Sequence, residues 1–210
     1  MKETEKRMAT ATQIFGRIVK KYQLPLDKIK DLNLKYEEVK KNLQTFNHRL
    51  AGRLQSELNF TEVIESTSIF EDIVKCMQDY VNDLKKFGLG KTTNGNLDIL
   101  SCWINDMKEG EYNPPHTHHD LTGWSTVLFL KVPEFVRDTE YENKFRDGLL
   151  GFITEDGLRT EWTKPEVGDF YIFEAKHQHC VMPFKVKNKG EIRRSMSFNF
   201  IEKVSENNVQ

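Results

Sequence analysis

Cysteine is scarce in this chain of 210 residues. There are three, Cys76, Cys102 and Cys180, with no Cys-x-x-Cys spacing. An odd, scattered count argues against a disulfide framework and against a structural zinc knuckle. It fits a reducing compartment, so a cytoplasmic location is expected. Long apolar runs are also missing. None approaches the roughly 18 residues needed to span a bilayer, and Met1-Lys2-Glu3-Thr4-Glu5-Lys6-Arg7 lacks the apolar centre of a secretion signal. No membrane partner is expected. Neither sign of charge is in excess: 31 basic and 32 acidic residues leave a net charge of −1. Nucleic-acid binding needs a basic footprint on one face, which this balance does not supply, so no nucleic-acid partner is expected. Internal repeats and low-complexity segments are absent as well.

The residues present fall into two textures, and the expected fold class is α+β. Residues 1–90 read as a helical region packing on a β-rich barrel. Ile14, Phe15, Ile18 and Val19 predict an amphipathic helix over 12–22, which Pro25 ends. Leu32, Tyr36, Val39, Leu43, Phe46 and Leu50 predict a second over 31–55. Ile69, Ile73, Met77, Tyr80, Val81 and Leu84 predict a third over 68–87, with Gly88 and Gly90 as its stop. From residue 91 to 204 the texture is β-rich. Strands are predicted over 99–105, 125–132, 148–154, 169–174, 180–186 and 192–201, separated by Gly, Pro, Asn and Asp breaks. Strands at this spacing predict a barrel or sandwich with a helical flank. Residues 205–210 read as a frayed tail.

Three of the six histidines lie in Pro115-His116-Thr117-His118-His119-Asp120. In an extended backbone His116, His118 and Asp120 share one face and His119 points away. A fourth, His179, opens the apolar run Cys180-Val181-Met182-Pro183, with His177 as a competitor of the same parity. Two near ligands plus a remote one is how a facial site with open positions for non-haem Fe(II) is built; Mn(II), Ni(II) and Zn(II) suit the same donors. The bland readings are a His-rich polar loop and a structural histidine beside a core strand. Downstream, Arg193, Ser195, Ser197 and Asn199 alternate with Arg194, Met196, Phe198 and Phe200, a strict period of two. An inward Arg193 with a hydroxyl two residues on suits a carboxylate. A half-exposed edge strand is the competing reading, and Arg194, of opposite parity, is expected to face out.

These motifs together resemble the 2-oxoglutarate- and Fe(II)-dependent dioxygenases. They are most similar to a small, mostly uncharacterised bacterial and phage group with His-x-His, then Ser-x-x-x-(Tyr/Phe)-Leu, Gly-Asp/Glu, His-x-Val-x-Pro and Arg-x-Ser-x-Ser-Phe-Asn. Here these are 116–118, 125–130, 168–169, 179–183 and 193–199. Trp103-Ile104-Asn105 and Leu50-Ala51-Gly52 resemble two further motifs. The resemblance implies a double-stranded β-helix, jelly-roll and cupin-like, with flanking helices. It implies Fe(II) on the upstream pair and His179, and 2-oxoglutarate held by Arg193 and Ser195, with Asn105 assigned to the same cofactor site. The interval 193 − 179 = 14 fits the superfamily. The upstream pair stays open: the group pattern selects His116 and His118, whereas the wider superfamily's His-x-Asp selects His118 and Asp120. A tyrosine common near the cosubstrate is replaced by Leu128-Phe129, and the charged connection 134–147 reads as a lid or insertion.

The expected function is therefore hydroxylation of a C–H bond in a peptide side chain or a small metabolite, with release of succinate and CO₂. Trp103 reads as core or as pocket wall, and Trp124 as a residue near the pocket mouth. Two rivals remain. One is a cupin-type metal protein without 2-oxoglutarate dependence; the other is a non-catalytic interaction protein. A homodimer formed through the helical half is a further alternative.

Overall fold

Runs of β-branched and aromatic residues, broken by Gly, Pro and Asn, build most of this molecule. The computed structural model describes residues 9–14 (backbone only), 17–46, 52, 54–89, 95–118, 123–136 and 146–203. In chain order these form β1 (Ala9–Ile14), β2 (Arg17–Gln23), α1 (Leu26–Val39), β3 (Glu57–Asn59), α2 (Thr61–Ile64), α3 (Phe70–Lys86) and β4 (Asn96–Met107). Then come β5 (Asn113–His116), β6 (Trp124–Lys131), β7 (Leu150–Ile153), β8 (Thr160–Thr163), β9 (Asp169–Glu174), β10 (His179–Val181) and β11 (Arg193–Lys203).

The strands form two antiparallel sheets. The larger runs β1-β2-β9-β6-β11-β4-β3 and the smaller β5-β10-β7-β8. The arrangement is the double-stranded β-helix, with helices on the outer face of the larger sheet. Because the larger sheet is covered on both sides, its strands feed two cores. Ile104, Leu128, Phe170, Met196, Phe198 and Phe200 pack under Ile29, Leu32 and Tyr36 of α1 and Ile73, Met77, Tyr80 and Leu84 of α3. The opposite face carries Val127, Phe129, Tyr171 and Phe173, which meet Leu150, Phe152 and Val181 of the smaller sheet. Each such side chain contributes about 1.5–3 kcal/mol when fully buried.

The third predicted helix matches α3 closely. Glu71 and Asp72 sit in its first turn and Lys85 and Lys86 in its last, complementing the helix dipole. Gly88, at φ +69°, closes it with Leu89 N–H donating to the Leu84 carbonyl at 2.9 Å. Two other expectations fail. The described residues of 12–22, which leave out Phe15 and Gly16, form no helix. They lie in the β1–β2 hairpin, and β2 pairs with β9 at the edge of the larger sheet. Ile18 and Tyr22 enter one core and Val19 the other, so the apolar spacing reports two buried sheet faces rather than one helical stripe. The second helix stops at Val39 and a single 3₁₀ turn at Lys40–Asn42. Beyond it the chain is extended: Phe46 N–H donates to the Glu57 carbonyl and Asn59 N–H to the Gln44 carbonyl, each at 2.8 Å. The predicted strand over 180–186 is shorter, His179–Val181, and β3, β5 and β8 have no counterpart among the predicted strands. Residues 137–145 of the charged connection, and the tail from 204, lie outside the described residues.

Candidate active site

A cavity of about 560 Å³ opens between the two sheets. Its floor is the inward face of β11 and β4, paired in register: Arg193 with Met107, Ser195 with Asn105, Ser197 with Trp103, Asn199 with Ser101. Its opposite wall is β5 and β10, where His116 and His179 are register partners. Pro114 and Pro115 lie within β5 and fix an extended backbone that His116 inherits.

His116, His118 and His179 each present a ligating nitrogen, and these atoms lie within 4.8 Å of one another. The ring centroids of His116 and His179 are 4.2 Å apart, and those of His118 and His179 5.3 Å. His116 Nδ1 bonds the Pro114 carbonyl at 2.8 Å and His179 Nδ1 the His177 carbonyl at 2.9 Å. A carbonyl only accepts, so Nδ1 carries the proton in both rings and Nε2 keeps its lone pair for a metal. His118 is pinned by its backbone N–H to the Ala175 carbonyl at 2.8 Å. All three imidazoles are held neutral. Burial lowers His116; burial and then His116 lower His118 to about 4; burial, His116 and His118 carry His179 well below the usual range. Neutral imidazole is the form that binds a divalent cation. His177 is not part of this cluster; it is buried against Phe152 and Phe173. His119 and Asp120 lie outside the described residues.

Arg193 is 1% exposed. Its guanidinium lies over the Phe129 ring at 4.7 Å, and Nη1 points at Met107 Sδ at 3.3 Å. Nε and Nη2 have no hydrogen-bond partner among the described residues. Burial alone pushes its pKa down to about 9. A buried cation with idle donors is costly unless an anion completes it. Asn105, beside Ser195, also has an unpartnered Oδ1. Phe129 supplies the guanidinium with a ring face and no hydroxyl.

Three sequence expectations change here. Arg194 does not face out. It is 1% exposed, bonds Asp106 through Nε at 2.5 Å and Nη2 at 2.7 Å, reaches Glu37 at 2.8 Å and Asn33 at 3.1 Å, and stacks on Tyr36 at 4.4 Å. β11 is accordingly no edge strand; it lies between β6 and β4. Trp124 is away from the cavity, packed on Tyr80 and Phe200. Trp103 is cavity wall, 5.7 Å from the His118 ring and 6.4 Å from Phe46. Sequence reading missed Phe46 and Glu57, which also line the cavity. Glu57 is 7% exposed, and burial raises its carboxyl to about 7. The only signal was the short alternation Glu57-Leu58-Asn59, too brief to read as a strand.

Residues 101–199 match the family described as putative 2OG-Fe(II) oxygenase. These residues, just under half of the chain, are similar to the 2-oxoglutarate/Fe(II) oxygenases. That similarity indicates an oxidoreductase with Fe(II) and 2-oxoglutarate as cofactors. Two solved structures share the oxygenase fold. A Pseudomonas putida prolyl-4-hydroxylase is 16% identical with a TM-score of 0.58, covering 93% of each chain. A viral collagen prolyl hydroxylase from Paramecium bursaria Chlorella virus-1, solved with 2-oxoglutarate, is also 16% identical with a TM-score of 0.58, covering 87% of this chain and 94% of the other. Among curated proteins the sequence finds no match. Among the described residues, no helix is long and apolar enough to cross a membrane.

Proposed function

We propose that this oxygenase hydroxylates a C–H bond of a peptide side chain or a small metabolite, consuming 2-oxoglutarate and O₂. Bound Fe(II) and 2-oxoglutarate supply the oxygen chemistry: one oxygen atom enters the substrate, the other enters succinate, and CO₂ leaves. The chain's residues position these groups. His116, His118 and His179 hold the metal through Nε2 of the two rings whose Nδ1 is tied to backbone, with Asp120 the alternative to His116. Arg193 grips the distal carboxylate, Ser195 donates a second hydrogen bond and Asn105 lines the same wall. Phe129 and Met107 keep water from that ion pair, which strengthens it. In this reading residues 91–204 are the oxygenase core and residues 1–90 a flank that lends strands to its larger sheet.

One observation carries the proposal. The idle, buried donors of Arg193 line the same cavity as three neutral imidazoles. The test is an anaerobic titration of the protein with Fe(II) and 2-oxoglutarate, followed by the visible charge-transfer band of the chelate. Wild type gives a saturable band, and succinate forms only with iron and O₂. Arg193→Ala loses most of the affinity for 2-oxoglutarate. His116→Ala and Asp120→Ala, compared for iron content, identify the upstream partner. No band in wild type overturns the reading in favour of a cupin-type protein that does not use 2-oxoglutarate.

A further inference from the structure

Six residues past Arg193, the cavity face of β11 ends at Asn199. Its register partner on β6 is Ser125. Asn199 is 4% exposed and Ser125 1%, and neither Asn199 Oδ1 nor Ser125 Oγ has a hydrogen-bond partner among the described residues. One buried polar atom without a partner is unusual. Two on adjacent strands, in register, call for a shared ligand.

Their position separates them from the cosubstrate wall. At roughly 3.3 Å per residue, Asn199 is about 20 Å along the strand from Arg193. The third member of the row, Phe173, pairs with Ser125 and lies 4.8 Å from the His179 ring. In the neighbouring row Trp103, paired with Ser197, lies 5.7 Å from the His118 ring. The imidazoles therefore stand over the Ser197 and Asn199 rows. Asn199 and Ser125 flank them on the side away from Arg193, whereas 2-oxoglutarate stretched from the metal to Arg193 runs the other way.

The chemistry of this end is neutral. Asn199, Ser125, Ser197 and Ser101 carry hydroxyls and an amide and no formal charge. Asn199 Oδ1 only accepts and so needs a donor, whereas the Ser125 hydroxyl can accept or donate. A carboxylate brings only acceptors. An ammonium would be stripped of water beside a divalent cation with no counter-charge in this group of four. We propose that Asn199 and Ser125 form the contact for the substrate being oxidised, and that they select a neutral hydrogen-bond donor, an amide or a hydroxyl group. This deepens the iron and 2-oxoglutarate reading and rests on it.

The test uses the full chain with Zn(II), which is redox-inert, in place of Fe(II), and with saturating 2-oxoglutarate. Acetamide and acetate, matched in size, are titrated while the side-chain amide NMR signal of Asn199 is followed. Acetamide is expected to move that signal with an apparent Kd on the order of millimolar, as suits so small a ligand. Ser125→Ala should weaken it about five- to tenfold, the loss of one hydrogen bond. Acetate at the same concentrations should leave the signal in place. In Asn199→Leu, 2-oxoglutarate affinity from the anaerobic Fe(II) band should stay within about twofold of wild type; should that variant not fold, the Ser125→Ala arm decides. An unmoved signal with acetamide, an equal response to acetate, no effect of Ser125→Ala, or a tenfold loss of 2-oxoglutarate affinity in Asn199→Leu would each overturn the assignment. Failure of the underlying reading is seen separately, as the absence of the band in wild type.

Discussion

Arg193 and Arg194 are neighbours on β11, equally buried, and opposite in their surroundings. Arg194 points to the helical side, where two carboxylates, an amide oxygen and an aromatic face receive it. Arg193 points into the cavity, where it meets a ring, a sulfur and no anion among the described residues. The pleat alone separates them. One arginine fastens β11 to β4 and α1, and so fixes the register that presents the other. A protein seldom leaves a guanidinium buried and half-idle without use, because desolvation is not offset until an anion arrives. The contrast teaches that the side where the protein's own interactions are incomplete is the side built for a ligand.

The largest expected effect belongs to the satisfied arginine. Arg194→Met leaves the part-buried Asp106 without its cation and should cost about 3 kcal/mol in denaturant unfolding. Arg193→Met breaks no ion pair and should leave stability unchanged or raise it. If instead Arg193→Met were the more destabilising, the comparison would fail. Next comes the cosubstrate: Arg193→Met should weaken 2-oxoglutarate binding about 100-fold, or ~2.7 kcal/mol, the loss of charge-assisted hydrogen bonds. Arg193→Lys should recover part of this, since a point charge cannot make the forked contact.

Glu57 sharpens the contrast with a charge of opposite sign in the same cavity. Its folded pKa, about 7, lies above the ordinary 4.5 because burial disfavours the carboxylate. The stability linked to its protonation is therefore fully present below about pH 4.5 and is lost as pH rises through 7. Glu57→Gln removes that loss. It should raise stability by about 2 kcal/mol at pH 8, after discounting for residual solvent, with the gain vanishing near pH 5. Equal gains at both pH values would show that Glu57 is not titrating there. The smallest effect is Ser195→Ala, a loss of about 1 kcal/mol in 2-oxoglutarate affinity with unchanged stability, read from the same anaerobic titration.

The site is more legible in the sequence than its surroundings. Short motifs carry chemistry that tolerates few substitutes, so 116–118, 179 and 193–195 stand out even in one chain. The alternation in 193–200 also reveals a strand. It cannot show what covers each face, and so Arg194 is expected to meet water when α1 and Asp106 receive it. The β1–β2 hairpin misleads for a related reason. With both faces of β2 buried, Ile18, Val19 and Tyr22 lose the strand period and mimic a helical stripe. Lys20 adds to the disguise: a charged residue inside a strand, buried because Asp79 and Asp83 of α3 meet it. Phe46 fits the stripe of the second predicted helix and Glu57 stands in an alternation too short to read, so tertiary pairing alone turns both toward the cavity.

The most direct test is the anaerobic charge-transfer titration of the Fe(II)-loaded protein with 2-oxoglutarate, wild type beside Arg193→Met. A saturable band in wild type, displaced to about 100-fold higher concentration in the variant, is the predicted result. A band of undiminished affinity in Arg193→Met, or no band in wild type, would contradict the claim that the unpaired guanidinium awaits the cosubstrate's carboxylate.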